Sequence, residues 1–155
     1  MSSPVQARTT CRVCHGSSLD LFLDLGDQPP ANALLTREEL AGPELKFPLA
    51  LNSCRTCGQM QTTHVVSADV MFRNYVYFSS VSKAMATHFG AYAKDVADRY
   101  VPKDGLVVEI GSNDGILLKT LLGRPLRVLG VDPARNVAEV ARQNGVPTLA
   151  EFFNR

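Results

Sequence analysis

Residues 106–132, LVVEIGSNDGILLKTLLGRPLRVLGVD, read as a buried strand (Leu106–Ile110), a turn bounded by Gly111 and Gly115, an apolar helix, and a second strand that runs into Asp132. That order of elements opens a Rossmann-like nucleotide-binding unit of an α/β fold. The filling of the turn then decides which ligands suit it.

A dinucleotide site takes G-x-G-x-x-G, whose second glycine lets the backbone approach a pyrophosphate at a helix N-terminus. Here the turn is Gly111-Ser112-Asn113-Asp114-Gly115, spaced G-x-x-x-G with a polar, acidic centre. Asp114 would repel a pyrophosphate, which argues against both a dinucleotide and a P-loop. The carboxylates of Glu109 and Asp114 instead attract a cationic ammonium or sulfonium group. Asp132 follows the first glycine by roughly 20 residues, where an acid accepts hydrogen bonds from ribose hydroxyls. A ribose, no phosphate and a positive centre together describe S-adenosylmethionine (SAM). The plainer reading of Asp132, ahead of Pro133, is a cap for a helix over Ala134–Gln143.

The chain has 155 residues, 45% of them hydrophobic, and a formal net charge of +1. Such a composition fits one domain or two small ones and leaves no electrostatic footprint for nucleic acid or an anionic membrane. No apolar run reaches the roughly 18 residues of a transmembrane span, and MSSPVQARTT lacks the apolar core of a signal peptide. A cytoplasmic monomer is expected. After the helix, Gly145-Val146-Pro147 punctuates the chain before a third strand near Thr148–Ala150. A parallel sheet of about three strands is normally buried on both faces, so the sheet reads as unfinished and the chain as the N-terminal part of a longer protein.

Cys11-Arg-Val-Cys14 and Cys54-Arg-Thr-Cys57-Gly58 are two C-x-x-C units. Each forms a knuckle that presents two thiolates, and two knuckles complete a closed four-cysteine zinc site. Such a site has no open coordination position, so its zinc is structural. The intervening segment exceeds the usual length and must hold a folded excursion, read as a strand over Leu19–Leu25 and a short helix over Thr36–Leu40 capped by Thr36. A redox pair would open a helix in a βαβ unit, and neither pair does. His15 and His64 flank the pairs and read as surface or supporting residues before ligands.

Residues 68–101 join the two modules. An amphipathic helix runs from an N-cap at Ser82 toward Tyr100, with Pro102 as its stop and Met85, Phe89, Tyr92, Val96 and Tyr100 as its apolar stripe. Ahead of it, Tyr75 and Tyr77 fall on one side of an extended segment. Two phenols there either face a sugar or pack in the core with tethered hydroxyls. His88, off the stripe, reads as a solvated residue before a catalytic one.

Taken together, C-R-V-C, F-L-D-L-G-D-Q-P-P-A-N at 22–32, C-x-x-C-G, Y-V-Y-F-S-S at 75–80, V-E-I-G-S-N-D-G at 108–115 and G-V-D-P at 130–133 resemble the SAM-dependent sugar C-methyltransferases. The resemblance implies a zinc-ribbon-like N-terminal domain (1–67) followed by the first part of a Rossmann-like class I methyltransferase domain (68–155). It also implies a nucleotide-linked keto-deoxysugar as substrate, with methyl transfer to a carbon next to its ketone. Gly111, Asn113 and Gly115 would then shape the SAM loop, with Ser112 between them, and Asp132 would hold the ribose. Tyr75 or Tyr77 would reach the sugar, and Ser80 and His88 are further candidates near the methionine end or the substrate. Glu151 and Phe152 would border the adenine. The family carries further substrate-facing histidine, tyrosine and glutamate residues in later regions that this sequence does not reach. The competing reading is a non-catalytic zinc-ribbon binding module joined to a remnant nucleotide-binding half.

Overall fold

The computed structural model describes residues 3–154; Met1, Ser2 and Arg155, the outer ends of the two expected domains, lie outside the described residues. The chain is a mixed α/β protein that divides into two compact units, Met1–Met71 and Phe72–Arg155. The division falls within a short helix, α1 (Ala68–Phe72), a few residues beyond the boundary read from the sequence. Among the described residues no helix is long and apolar enough to cross a membrane.

The first unit is built from five strands: β1 (Val5–Ala7), β2 (Leu19–Gln28), β3 (Phe47–Cys54), β4 (Met60–Thr62) and β5 (His64–Val66). β2, β3 and β4 form an antiparallel sheet in that order, and β1 pairs with β5. The excursion between the cysteine pairs is therefore mostly sheet. The strand expected over Leu19–Leu25 continues to Gln28, while β3 was not anticipated. Pro48 and the unbroken Leu49-Ala50-Leu51 run hide its alternation, although Ala50, Asn52 and Cys54 are all buried. The helix expected over Thr36–Leu40 is a single 3-10 turn at Glu39–Ala41. Its cap is as read. The Thr36 hydroxyl accepts the Glu39 N–H at 3.3 Å, and the Glu39 carboxylate accepts the Thr36 N–H at 2.8 Å, a reciprocal capping box.

The second unit carries α2 (Lys83–Tyr100), β6 (Leu106–Ile110), β7 (Arg127–Val131), α3 (Arg135–Gln143) and β8 (Thr148–Leu149). The three strands are parallel in the order β6-β7-β8, with Ile110 opposite Val131 and Gly130 opposite Thr148. Ser82 caps α2 as expected, its hydroxyl accepting the Met85 N–H at 3.3 Å. Two expectations need correction. The apolar helix after the turn is only a 3-10 segment, Leu118–Leu121, between Gly115 and Gly123, whose positive φ departs from helical geometry on either side. The buried face of α2 is Ala93 and Ala97, while Tyr92 and Tyr100 of the expected stripe are exposed. Those alanines share a core with Leu118, Leu121, Ala141 and Val146. Small side chains let α2 come close to the 3-10 segment, an approach that aromatic residues would block.

Close approach also fixes the turn itself. A Cβ on Gly130 would lie 2.5 Å from Ser112 Oγ and 2.9 Å from Thr148 Oγ1, so glycine at this point of β7 lets the loop 111–115 lie against the sheet. Gly115 combines φ +77° with a Cβ position 3.0 Å from Val146. No other residue fits there without strain.

Candidate functional site

In the first unit, the sheet brings both cysteine pairs to one end. Cys54 ends β3 opposite Leu19, the first residue of β2, and its knuckle is the loop from β3 to β4. Each knuckle closes on its own backbone: Cys11 O accepts the His15 N–H at 3.0 Å, and Cys54 O accepts the Gly58 N–H at 2.8 Å. Both closing residues have positive φ, 60° at His15 and 76° at Gly58. His15 thus serves as the left-handed residue of its knuckle, the place glycine holds in the other. Gln61 fastens the first knuckle to β4, its carboxamide accepting the Arg12 N–H at 2.8 Å and donating to Thr10 O at 3.0 Å. Sequence reading missed Gln61, which the structure buries on β4.

The four sulfur atoms of Cys11, Cys14, Cys54 and Cys57 lie within 4.8 Å of one another. Cys11 Sγ is 3.6 Å from Cys57 Sγ, and Cys14 Sγ is 3.5 Å from Cys54 Sγ. A disulfide requires about 2.05 Å, so the thiols are free. A tetrahedron with Zn–S bonds of about 2.3 Å has edges of about 3.8 Å, close to both separations. The donor set fits zinc. Hydrogen bonds also prepare the thiolates: the Cys57 N–H pulls the Cys54 thiol down to about 6, and the Cys14 N–H lowers that of Cys11. At Cys14 the Gly16 N–H draws the value down, but sharing with the Cys54 and Cys57 sulfurs pushes it up to about 12. All four must be deprotonated to bind, so metal uptake releases protons.

In the second unit, the loop 111–115 sits at the carboxyl end of the parallel sheet, where ligands of such sheets bind. Both oxygens of Asp132 meet backbone N–H groups: Oδ2 accepts Asn113 N at 2.8 Å, and Oδ1 accepts Ala134 N at 2.9 Å. Asp132 therefore holds the loop and the turn that leads into α3, whose own N-cap, Ala134, makes no side-chain cap bond. Each oxygen keeps one lone pair for another donor. Asn113 adopts φ +48° and turns its carboxamide to residues 77–79. Asp114 is buried; its Oδ2 accepts the Ser80 N–H at 3.0 Å, while its Oδ1 has no protein partner. Ser112 is buried as well, its hydroxyl turned toward Gly130 and unpartnered.

Glu109 is the third acid of this cluster. Burial, then repulsion from Asp132 and Asp114, pushes its carboxyl up to about 7. It lines a cavity of about 390 Å³ between α2 and β6, among Tyr92, Val96, Val107 and Leu117, and its Oε2 is buried without a partner. A carboxyl whose folded value is raised lends stability that is full below its unfolded value of 4.5 and is lost as the pH rises through about 7. Glu109→Gln is therefore expected to stabilise the second unit at pH 8, by about 1–2 kcal/mol after allowance for partial exposure. The gain should fade toward pH 5.5. Hydrogen exchange at β7 amides, measured against pH, checks this, and a pH-independent gain would contradict it.

The remaining expected residues are distributed unevenly. Tyr75 and the more exposed Tyr77 lie on the segment that Asn113 touches, and Ser80 ends it. His88 is exposed on α2, its ring stacked on Tyr92 at 6.3 Å and tilted against Phe89. Two contributors went unread in the sequence. Asn136, in the first turn of α3, bonds the backbone of Tyr75 in both directions. Arg73 lies over the Phe152 ring at 4.6 Å and donates to Ala150 O at 3.3 Å, tying the stretch that leads into Tyr75 to the segment after β8. An asparagine within a helix was the only sequence sign of the first.

Residues 11–72, which include both cysteine pairs, match the family described as "Putative zinc binding domain". Over 155 residues, 99% of this chain, the sequence is 40% identical to C-methyltransferase NovU of Streptomyces niveus. The chain spans 37% of the length of that relative. Residues 11–72 are thus similar to that family, and along its length the chain is similar to part of that C-methyltransferase.

Proposed function

We propose that these residues form the zinc-ribbon unit and the cofactor-loop part of a SAM-dependent C-methyltransferase with a Rossmann-like domain, acting on a nucleotide-linked keto-deoxysugar in the cytoplasm. The observation that carries this reading is the acid-lined loop. Glu109, Asp114 and Asp132 converge at the carboxyl end of the parallel sheet, and the first two keep buried carboxylate oxygens that no protein donor meets. Repulsion among three acids is costly unless a cation settles beside them. When bound, SAM supplies a methyl group activated by a positive sulfur.

The residues divide the work. Asp132 would take the ribose hydroxyls on its spare lone pairs. Gly111 and Gly115 give the loop its turn, and Glu109 and Asp114 supply negative potential toward the sulfonium. Phe152, held under Arg73, would border the adenine with Glu151. Tyr75 and Tyr77 would meet the sugar, where a phenol can hold the oxygen that gains charge as the neighbouring carbon loses its proton. The carbon's electron pair would form the new C–C bond as the methyl–sulfur bond breaks and S-adenosylhomocysteine leaves, the proton having passed to a base. The four-thiolate zinc has no open position and takes no part.

Calorimetric titration with SAM and with S-adenosylhomocysteine tests the reading. Both should bind, and the preference for the cationic SAM should rise several-fold from pH 6 to pH 8 as Glu109 ionises. Absence of heat from either ligand would sink the proposal.

A further inference from the structure

Residues 75–78 belong to no strand or helix, yet side chains meet the N–H and C=O of Tyr75, the C=O of Tyr77 and the N–H groups of Ser79 and Ser80 that follow. Asn136 Oδ1 accepts the Tyr75 N–H at 3.0 Å, and its Nδ2 donates to Tyr75 O at 2.6 Å. Asn113 repeats the arrangement: Oδ1 accepts the Ser79 N–H at 2.9 Å, and Nδ2 donates to Tyr77 O at 3.0 Å. Asp114 completes the set by accepting the Ser80 N–H at 3.0 Å. A carboxamide that both accepts from and donates to a backbone imitates a neighbouring strand. Two of them, one from the loop and one from α3, fix the direction of the segment that carries both phenols.

The geometry points to Asn113 and Asn136 as positioning residues for the Tyr75–Ser80 arm, acting through its backbone to present Tyr75 and Tyr77 at the cofactor loop. What the phenols meet there rests on the SAM reading; the hold on the arm does not. The conformation of Asn113 supports this role over a purely local one. At φ +48° glycine would sit with less strain than asparagine. The asparagine accepts that cost, and both ends of its carboxamide are spent on the arm. Its own N–H is anchored by Asp132, so the acid proposed for the ribose and the hook on the arm are adjacent links of one chain.

Residue-resolved hydrogen exchange on the intact chain tests the assignment. Asn113→Gly should keep or raise the melting temperature and leave Gly111, bonded to Val131 O, protected. It should speed exchange at Ser79 about tenfold, the loss of one net hydrogen bond. Asn136→Ala should do the same at Tyr75. Asn136→Asp should recover only part of the protection at Tyr75, because a carboxylate still accepts that N–H but sets an oxygen in place of the Nδ2 donor against Tyr75 O. Unchanged exchange at Ser79 in Asn113→Gly and at Tyr75 in Asn136→Ala overturns the assignment, as does full native protection at Tyr75 in Asn136→Asp. Binding heat for S-adenosylhomocysteine on the unsubstituted chain judges the cofactor reading separately. No heat with a released arm would remove SAM and leave the positioning role standing.

Discussion

Withdrawing the metal is expected to unfold the first unit while the parallel sheet of the second stays protected. The reason lies in what the first unit buries. Among its described residues the buried hydrophobic side chains are Cys11, Phe47, Ala50 and Cys54, and two of these four belong to the four-cysteine cluster that fits zinc. Leu21, Phe22 and Leu25 of β2, which would ordinarily build a core, are at least half exposed. Domains of this size rarely draw more than about 3–5 kcal/mol from an apolar core, and this one has almost none. A structural zinc in a small domain contributes on the order of 10–16 kcal/mol. Its removal exceeds any reserve the sheet could hold. A strong chelator under reducing conditions, or Cys54→Ser, should bring exchange at the amides of β3 and β4 to the rate of an unfolded chain. Metal analysis of the untreated protein should give one zinc per chain. Persistence of β3 protection after complete metal loss would show that the strands stand by themselves.

What the sequence conveyed about each unit follows from how local the determining forces are. The knuckles were legible because two thiolates and a tight turn need only four consecutive residues. The strand at Leu106–Ile110 and the turn at Gly111–Gly115 were legible for the same reason. Sequence weight misled where packing is long-range. Tyr92 and Tyr100 dominate the apolar pattern of α2, yet the helix buries Ala93 and Ala97, because a segment reached only through the fold, Leu118–Leu121, approaches too closely for rings. β3 escaped because its partners lie in β2 and β4, and pairing with them overrides the poor local signal of Pro48. In the site, the acids were visible, but their partners were not. Asn136 and Tyr75 are joined across 61 positions, and nothing near either residue announces the other. Asp114 illustrates the cost: read only as a charge that attracts a cation, it proves to be buried, with one oxygen bonded to Ser80.

Asp132→Ala is expected to be the most damaging single change in the second unit, even before any ligand is added. Asp132 is 7% exposed and is the acceptor for two backbone donors, Asn113 N and Ala134 N. Losing one acceptor from a buried N–H costs roughly 1–3 kcal/mol, so two come to about 2–6 kcal/mol. For a unit of this size that lowers the melting temperature by about 10 °C or more. One effect runs the other way. Asp132 is the first of the charges that raise Glu109, so its removal relieves repulsion and lets the Glu109 carboxyl move back toward ordinary carboxylate values. The two contributions separate with pH. Near pH 5.5 Glu109 is largely protonated in the unsubstituted chain, little repulsion remains to be relieved, and the full loss of the N–H acceptors should appear. At pH 8 the relief should offset part of it, so Asp132→Ala should be less destabilising there than at pH 5.5. Asp132→Asn, which removes the charge and keeps one carbonyl acceptor, should be milder at both values. Thermal unfolding of the three proteins across this range decides the matter. Equal losses at both ends would mean that Glu109 and Asp132 do not share the field that makes this loop a place for a cation.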